Sequence, residues 1–239
     1  MGVADGVGGW VDVKGANAAL YSLKMMHYAG LELEKYDDLI GEYDDDGQLD
    51  NVDFNKVSPK DILSKSYERV NLDAKDEKII GSTTALIIIL REDELRIANI
   101  GDCGIMIIRG GESIFRNEEQ QHSFNFPFQL GTVSRDSPND TQCYNLKIQE
   151  GDIVILGSDG LFDNVFDEEI VDIVVSKSKT AITTNDAQSM ADALLRRARE
   201  VAEDDRFASS PFQTRAIEEG FYYRGGKVDD MTILVGIIR

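Results

Sequence analysis

The sequence is poor in the residues that build disulfide-bonded or zinc-binding proteins. Its 239 residues include only two histidines, His27 and His122, which lie far apart in the chain. The two cysteines, Cys103 and Cys143, show no disulfide-like spacing, so we expect a reducing, intracellular compartment. A zinc site or a histidine-dependent catalytic triad has too few residues to draw on. Any bound metal is therefore expected to be a hard cation held by oxygen atoms.

Long apolar runs and an excess of positive charge are also absent. No apolar run approaches the length needed to cross a membrane, which predicts no membrane insertion. The chain has 44 acidic and 25 basic residues, giving a formal net charge of −19. A chain this acidic is repelled by phosphate backbones and anionic membrane surfaces, so we expect no nucleic-acid partner.

The length of the chain suits one large domain. A sequence of 239 residues can bury a full hydrophobic core, and no linker-like stretch divides it. We therefore expect residues 1–239 to form a single domain and the protein to be a monomer.

Hydrophobic periodicity predicts both helices and strands. Apolar residues recur at helical spacing in four segments, residues 16–33, 61–70, 168–176 and 186–203. Apolar runs typical of strands occupy residues 82–90, 95–100, 105–109, 153–156 and 231–238. Asp167 is expected to cap the helix that follows it, and the short turn after residue 90 predicts an antiparallel strand pair.

The most informative stretch is the one that follows the apolar run Ile153–Leu156. Asp159-Gly160 and then Asp163 come directly after this predicted buried strand. Taken alone, Asp159-Gly160 is most simply an ordinary Asp-Gly turn without chemistry. Burying carboxylates at the end of a strand costs free energy, however, unless a cation or a hydrogen-bonded turn compensates their charge.

Three further turns carry aspartates at the predicted rims of the sheets. They are Asp5-Gly6, Gly101-Asp102 and Asp229-Asp230. If these rims converge, the aspartates cannot all stay ionised without cations, which predicts Mg²⁺ or Mn²⁺ and favours two ions. Two such ions suit the activation of a water for attack on phosphorus. The residues therefore favour hydrolysis of a phosphate monoester.

A second metal-binding pattern lies in the acidic segment Glu42–Asp53. Its acids and Gly47 fall near the positions of a calcium-binding loop, but Glu42 and Asp53 replace the usual first and last ligands. An acidic, solvated surface loop is the favoured interpretation. A calcium-binding module remains a third functional alternative.

Five motifs, by their residues and their order along the chain, resemble those of the type 2C metal-dependent serine/threonine protein phosphatases, the PPM family. The motifs are Asp5–Gly9, Gly81–Thr83, Ala98–Asp102, Ser158–Asp163 and Asp229–Thr232, and they span nearly the whole chain. Arg224–Lys227 looks like the branch of the family that includes mitochondrial members. The resemblance implies an α+β fold, a four-layer α/β/β/α sandwich with two central antiparallel sheets flanked by helices. It also implies phosphorylated protein substrates and, by resemblance only, a mitochondrial location.

The resemblance also assigns metal ligands and a mechanism. Asp5 would bridge two metal ions, and the carbonyl of Gly6 would bind one of them. Asp159 and Asp229 would hold the other ion. The nucleophile would be a metal-bridging water, so that no side chain forms a covalent intermediate with the substrate.

Two further aspartates and two departures complete the comparison with the family pattern. Asp102 and Asp163 match the weaker third-metal site seen in some members. Val7 stands where many relatives have a histidine that protonates the leaving group, so a metal-bound water would have to replace it. Asp230 stands where relatives often have asparagine, which adds negative charge near the metals.

The resemblance places the family's first strands before Met1, together with a phosphate-binding arginine and an acid near the second metal. We therefore expect an N-terminally truncated catalytic domain with weak activity or none. The alternative of another class is a catalytically inactive, phosphatase-like module that binds metal or phosphoproteins.

Overall fold

The computed structural model describes most of the chain, namely residues 1–10, 12–38, 57–178, 184–204 and 209–239. These residues form two compact units, Met1–Gly101 with Phe128–Lys147 and Asp102–Pro127 with Ile148–Arg239. That both units belong to a single catalytic domain stays a prediction. The candidate calcium loop, Glu42–Asp53, lies outside the described residues.

The first unit is built on an antiparallel sheet. Its strands are β1 (Gly2–Gly6), β2 (Ser82–Arg91), β3 (Glu94–Ile100), β8 (Leu130–Gly131) and β9 (Gln142–Lys147). The order is β1-β2-β3-β9, and β8 pairs with β2. Arg91 pairs with Glu94 across the turn between β2 and β3, which confirms the predicted antiparallel pair.

Two helices supply the remaining core of the first unit. They are α1 (Ala18–Asp38) and α2 (Pro59–Glu77). Ser58 caps α2 by accepting a hydrogen bond from the backbone N–H of Asp61, the usual role of a serine just before a helix. The helix extends beyond the predicted end at residue 70 because Ala74 continues its buried face. Tyr21, Met25, Ile62, Leu63 and Ile87 belong to the core that joins the two helices to the sheet.

The second unit contains a four-stranded antiparallel sheet and a separate two-stranded ribbon. The sheet has the order β11-β10-β4-β5. Its strands are β4 (Gly104–Arg109), β5 (Glu112–Arg116), β10 (Ile153–Gly157) and β11 (Ile233–Ile237), and the ribbon consists of β6 (Gln121–Ser123) and β7 (Phe126–Pro127). All five residues of β10 are buried, as its apolar run predicts.

In the described part of this unit, four helices accompany the sheet, α3 (Asp159–Phe162), α4 (Asp167–Lys177), α5 (Thr184–Ala202) and α6 (Pro211–Glu218). Ile170, Val174, Met190 and Leu194 pack into the core of the unit. The predicted capping role of Asp167 is wrong, since it is the first helical residue of α4 and the N-cap, Phe166, makes no side-chain capping bond.

The predicted fold class is confirmed. Each unit carries an antiparallel sheet with helices packed against it, α1 and α2 on the first sheet and α5 on the second. The protein is therefore of the α+β class, with two antiparallel sheets flanked by helices. Within the described ranges, no helix is long and apolar enough to span a bilayer.

Candidate metal centre

Asp159 and Asp163 lie at the two ends of a single helical turn that begins where β10 ends. Asp159 is the first residue of α3 and Asp163 is its C-cap, so the two carboxylates are four residues apart and lie on one face. The expected Asp-Gly turn is therefore a short helix. Ser158 ties this turn to the segment before β11, since its hydroxyl donates to the Asp230 carbonyl and accepts from the Thr232 N–H, both at 3.1 Å.

Lys227 is a cation that contacts three aspartates, Asp159, Asp163 and Asp229, which we call the acidic cluster. Its ammonium lies 2.5 Å from Asp159 Oδ2, 2.8 Å from Asp163 Oδ2 and 3.1 Å from Asp229 Oδ2. The Lys227 side chain is only 15% exposed. Burial alone would lower its pKa, but the carboxylates of Asp163 and Asp159 outweigh burial and raise the pKa well above its usual value.

Asp163 interacts with a second cation. Its Oδ1 accepts a short hydrogen bond from Arg215 on α6, and Arg215 also pairs with Glu119 at 2.8 Å. Burial raises the pKa of Asp163, Lys227 opposes that rise, and the neighbouring Asp159 adds to it. The carboxylate is therefore both deeply buried and neutralised on each of its oxygens.

Asp102 belongs to the same unit and precedes β4. It is 6% exposed, and its pKa is raised well above the usual value by burial and then by the negative charge of Asp159. Among the described residues we find no hydrogen bond to its carboxylate. A buried carboxylate without a hydrogen-bond partner is costly, and Lys227 offsets only part of the rise in the Asp102 pKa, so a metal ion could provide further positive charge.

The residues of this unit fit a hard metal ion. Asp159 Oδ1 is buried and has no hydrogen-bond partner in the described part of the chain, although its other oxygen contacts Lys227. Carboxylate oxygens are the ligands that Mg²⁺ and Mn²⁺ prefer. No group of three or more acids, cysteines or histidines within the described residues already forms a metal-binding cluster. Lys227 occupies the space between the aspartates instead.

Asp5 and Gly6 lie in the first unit, at the end of β1. Asp5 pairs with Thr84 across β1 and β2, and its carbonyl accepts a hydrogen bond from the Thr83 hydroxyl at 2.8 Å. Gly6 is required here because a Cβ atom would lie 2.7 Å from the Ala18 backbone. The assignment of Asp5 and Gly6 to the same metal centre as the second unit's aspartates stays a prediction.

Lys227 and Arg215 contact the acids of the site, but the sequence alone does not predict either of them as a site residue. Lys227 lies in a polar turn, and Arg215 lies on α6, a helix that the periodicity did not predict. The signal for α6 was Ser210-Pro211, which has the same form as the Ser58-Pro59 start of α2. Ser210 does cap α6, accepting a hydrogen bond from the Gln213 N–H at 3.0 Å.

Sequence comparisons give the family of the chain. Residues 1–208 match the family model described as stage II sporulation protein E. The chain is 36% identical over 248 residues to the protein phosphatase PTC7 homolog of Homo sapiens, matching all of this chain and 74% of that protein. It is 35% identical over 239 residues to the probable protein phosphatase 2C 80 of Arabidopsis thaliana, again over its whole length. The chain spans 51% of that relative.

Solved structures agree with the sequence comparisons. The photosystem II phosphatase PBCP is 31% identical, with a TM-score of 0.80, and the match covers all of this chain and 86% of that one. The catalytic domain of the phosphatase PstP, solved in complex with two manganese ions, is 17% identical with a TM-score of 0.60 and shares the fold over 100% of this chain and 87% of its own. On these identities and this coverage, the chain belongs to the type 2C, or PPM, family of protein phosphatases.

Proposed function

We propose that this chain is a metal-dependent protein serine/threonine phosphatase that hydrolyses phosphoserine and phosphothreonine. The observation that carries the proposal is the buried oxygen of Asp159 that has no hydrogen-bond partner among the described residues, in a group of interacting acids that includes Asp102 and Asp229, in a member of this family. A carboxylate oxygen without a hydrogen bond, in a site with several negative charges, is suited to binding a cation.

Asp159 and Asp229, together with Asp5 and the Gly6 carbonyl of the first unit, are the proposed ligands of two Mg²⁺ or Mn²⁺ ions. The two manganese ions in PstP support that number. Asp102 and Asp163 match the weaker third-metal site of some family members by resemblance alone. When bound, such ions supply an activated water for in-line attack on phosphorus and neutralise charge on the leaving oxygen.

The protein's own contribution is to hold the aspartates in place. The Asn164 amide donates to the carbonyls of Gly160 and Lys227, both at 2.9 Å, and its oxygen accepts from the Lys227 N–H at 2.8 Å. These bonds join the turn that carries Asp159 to the segment that carries Asp229. Asp159 and Asp229 therefore keep their spacing before a metal ion binds, which reduces the reorganisation that metal binding requires.

The leaving group must obtain its proton from a group other than residue 7. Valine has no ionisable side chain, and the backbone N–H of Val7 donates to the Ser82 carbonyl at 3.0 Å. A water in the site is the proposed donor, as the resemblance implies.

The wider biology remains part of the proposal. Phosphoproteins are the proposed substrates, because the named relatives are protein phosphatases. A mitochondrial location rests on the resemblance to the PTC7 branch alone. A monomer without nucleic-acid partners is proposed from the charge and length of the chain.

One observation favours a second candidate function, that of an inactive phosphoprotein-binding module. The Lys227 ammonium neutralises three of the aspartates without a metal. Phosphate release and phosphopeptide binding distinguish the two candidates, because the module would bind a phosphopeptide without releasing phosphate.

The test is phosphate release from a phosphothreonine peptide while Mn²⁺ is titrated in. We expect activity that depends on Mn²⁺, falls by about 100-fold or more in Asp159→Asn, and persists in Asp172→Asn. Asp172 is the matched control because it is an exposed acid on α4 of the same unit. Phosphopeptide binding without turnover at any Mn²⁺ concentration would refute the phosphatase and favour the module.

A further inference from the structure

We infer that Lys227 is a fixed counter-cation of the acidic cluster and that it prevents a third metal ion from binding at the Asp102 and Asp163 pair. The inference rests on the proposed function, since it concerns the metal occupancy of the same site. Its observable consequence is a change in the number of ions bound, which can be measured without any catalytic assay.

The geometry of the ammonium supports this role. A lysine ammonium has three N–H donors, and three carboxylates surround Lys227, those of Asp159, Asp163 and Asp229, at 2.5 to 3.1 Å. The ammonium also lies 5.1 Å from the centre of the Phe212 ring, which limits its freedom to leave. Its backbone is held on both sides by Asn164.

Asp163 is the ligand that this arrangement removes from the metal. Its Oδ2 contacts Lys227 at 2.8 Å, and its Oδ1 accepts the short bond from Arg215. Each oxygen therefore already has a positive partner, and a divalent ion there would face repulsion from two fixed cations. Asp163 in this chain anchors Lys227 and Arg215 rather than holding an ion.

Lys227 also contacts the proposed main-site ligands, Asp159 at 2.5 Å and Asp229 at 3.1 Å, but each of them through Oδ2 alone. Asp159 keeps one buried oxygen, Oδ1, without a hydrogen bond from any residue that the structure describes. Asp229 meets Lys227 through Oδ2, while its Oδ1 accepts a hydrogen bond from the Asp230 N–H at 2.9 Å. Lys227 therefore weakens the third site selectively, since that site needs Asp163 while the proposed main sites do not.

The test is isothermal titration of the metal-free chain with Mn²⁺. We expect Lys227→Met and Lys227→Gln to bind one more Mn²⁺ per chain than the wild type, with the affinity of the added ion raised by roughly tenfold or more. The double variant Lys227→Met with Asp163→Asn should lose that ion again. Lys147→Met, which removes an exposed ion pair with Asp93, should bind as the wild type does.

Thermal unfolding is a second measurement, for the case that a Lys227 variant folds poorly without metal. Removing Lys227 leaves three carboxylates without their shared cation, so the metal-free melting temperature should fall and added Mn²⁺ should restore it. Lys227→Arg, which keeps the charge, should retain the wild-type number of ions.

The possible outcomes separate this inference from the proposed function. Normal Mn²⁺ binding by the wild type with an unchanged number and affinity of ions in Lys227→Met and Lys227→Gln would overturn the inference and leave the phosphatase intact. Binding by Lys227→Met but not by the wild type would show that Lys227 blocks every ion, which would overturn the selective role and refute the metal enzyme. An absence of binding in both chains would refute both.

Discussion

Gly160 lies against the carbonyl oxygen of Asp230, so close that a Cβ atom at residue 160 would lie well under 3.0 Å from it. This contact joins the turn that carries Asp159 to the segment that carries Asp229. The residue at position 160 must therefore be glycine for a steric reason, independent of its backbone angles. The acidic cluster depends on this close approach of two backbone segments.

Gly160→Ala should displace one of these segments. We expect a loss of about 2 kcal/mol in the free energy of unfolding, because the new methyl group meets backbone that cannot rotate away, and a weaker apparent affinity for Mn²⁺. Urea unfolding and Mn²⁺ titration measure the two effects. Gly8→Ala is the matched control, since a Cβ at residue 8 meets nothing within 4 Å. Equal stability of both variants would contradict the steric account.

Asn164→Asp tests the bridge between the two segments. The substitution keeps the oxygen that accepts from the Lys227 N–H but places a carboxylate against the carbonyls of Gly160 and Lys227. Asn164 is 1% exposed, so the lost donors cannot be replaced by water. We expect the free energy of unfolding to fall by about 2–3 kcal/mol.

The control for that bridge is Asn145→Asp, at an exposed position on β9. Urea unfolding of this variant should give the wild-type midpoint. A stable Asn164→Asp variant with normal Mn²⁺ binding would show that the bridge does not position the acids.

The ion pair of Arg109 and Asp152 predicts a pH dependence of stability. Asp152 is fully buried, and Arg109 donates to both of its oxygens at 2.7 and 2.8 Å. Burial alone would raise the pKa of Asp152, but the hydrogen bonds from Arg109 and from the Gln149 N–H outweigh it and lower the pKa below 3.8. The lowered pKa gives stability that is present above pH 3.8 and is lost as the pH falls through the folded-state value.

Arg109→Met should therefore destabilise the chain at pH 7, and its difference from the wild type should shrink as the pH falls, because acid protonates the buried Asp152 that has lost its cation before it protonates that of the wild type. Urea unfolding of both chains from pH 7 to pH 3 measures the difference. Lys147→Met, at an exposed pair, should show little difference at any pH. A constant difference between Arg109→Met and wild type across this range would mean that the pair does not act through the charge of Asp152.

Much of the fold follows from hydrophobic periodicity. The buried strand at Ile153–Leu156 and the long helix α5 were predicted because their apolar residues repeat with a clear period. Asp159 and Asp163 were predicted as site residues because they follow such a strand, and the structure brings them together through Lys227. Motif order, rather than periodicity, supplied the family.

The missed features lie where periodicity is weak. Helix α6 has eight residues, of which only Phe212 and Ala216 are buried side chains, too few to establish a helical repeat. Lys227 lies in a glycine-containing loop, where the direction of a side chain depends on distant partners such as Asn164. The residues next to Lys227 in the sequence do not indicate these distant partners. The ion pairs of Lys227 with the aspartates are therefore visible only in the structure.

The most direct test of the central claim is an anomalous-scattering map from crystals of this chain grown with Mn²⁺. We expect a manganese peak in coordination contact with Asp159 Oδ1, the buried oxygen that has no hydrogen-bond partner within the described ranges. We also expect no peak between Asp102 and Asp163 while Lys227 is present. An empty map around Asp159 at saturating Mn²⁺ would contradict the assignment of this cluster as a metal centre.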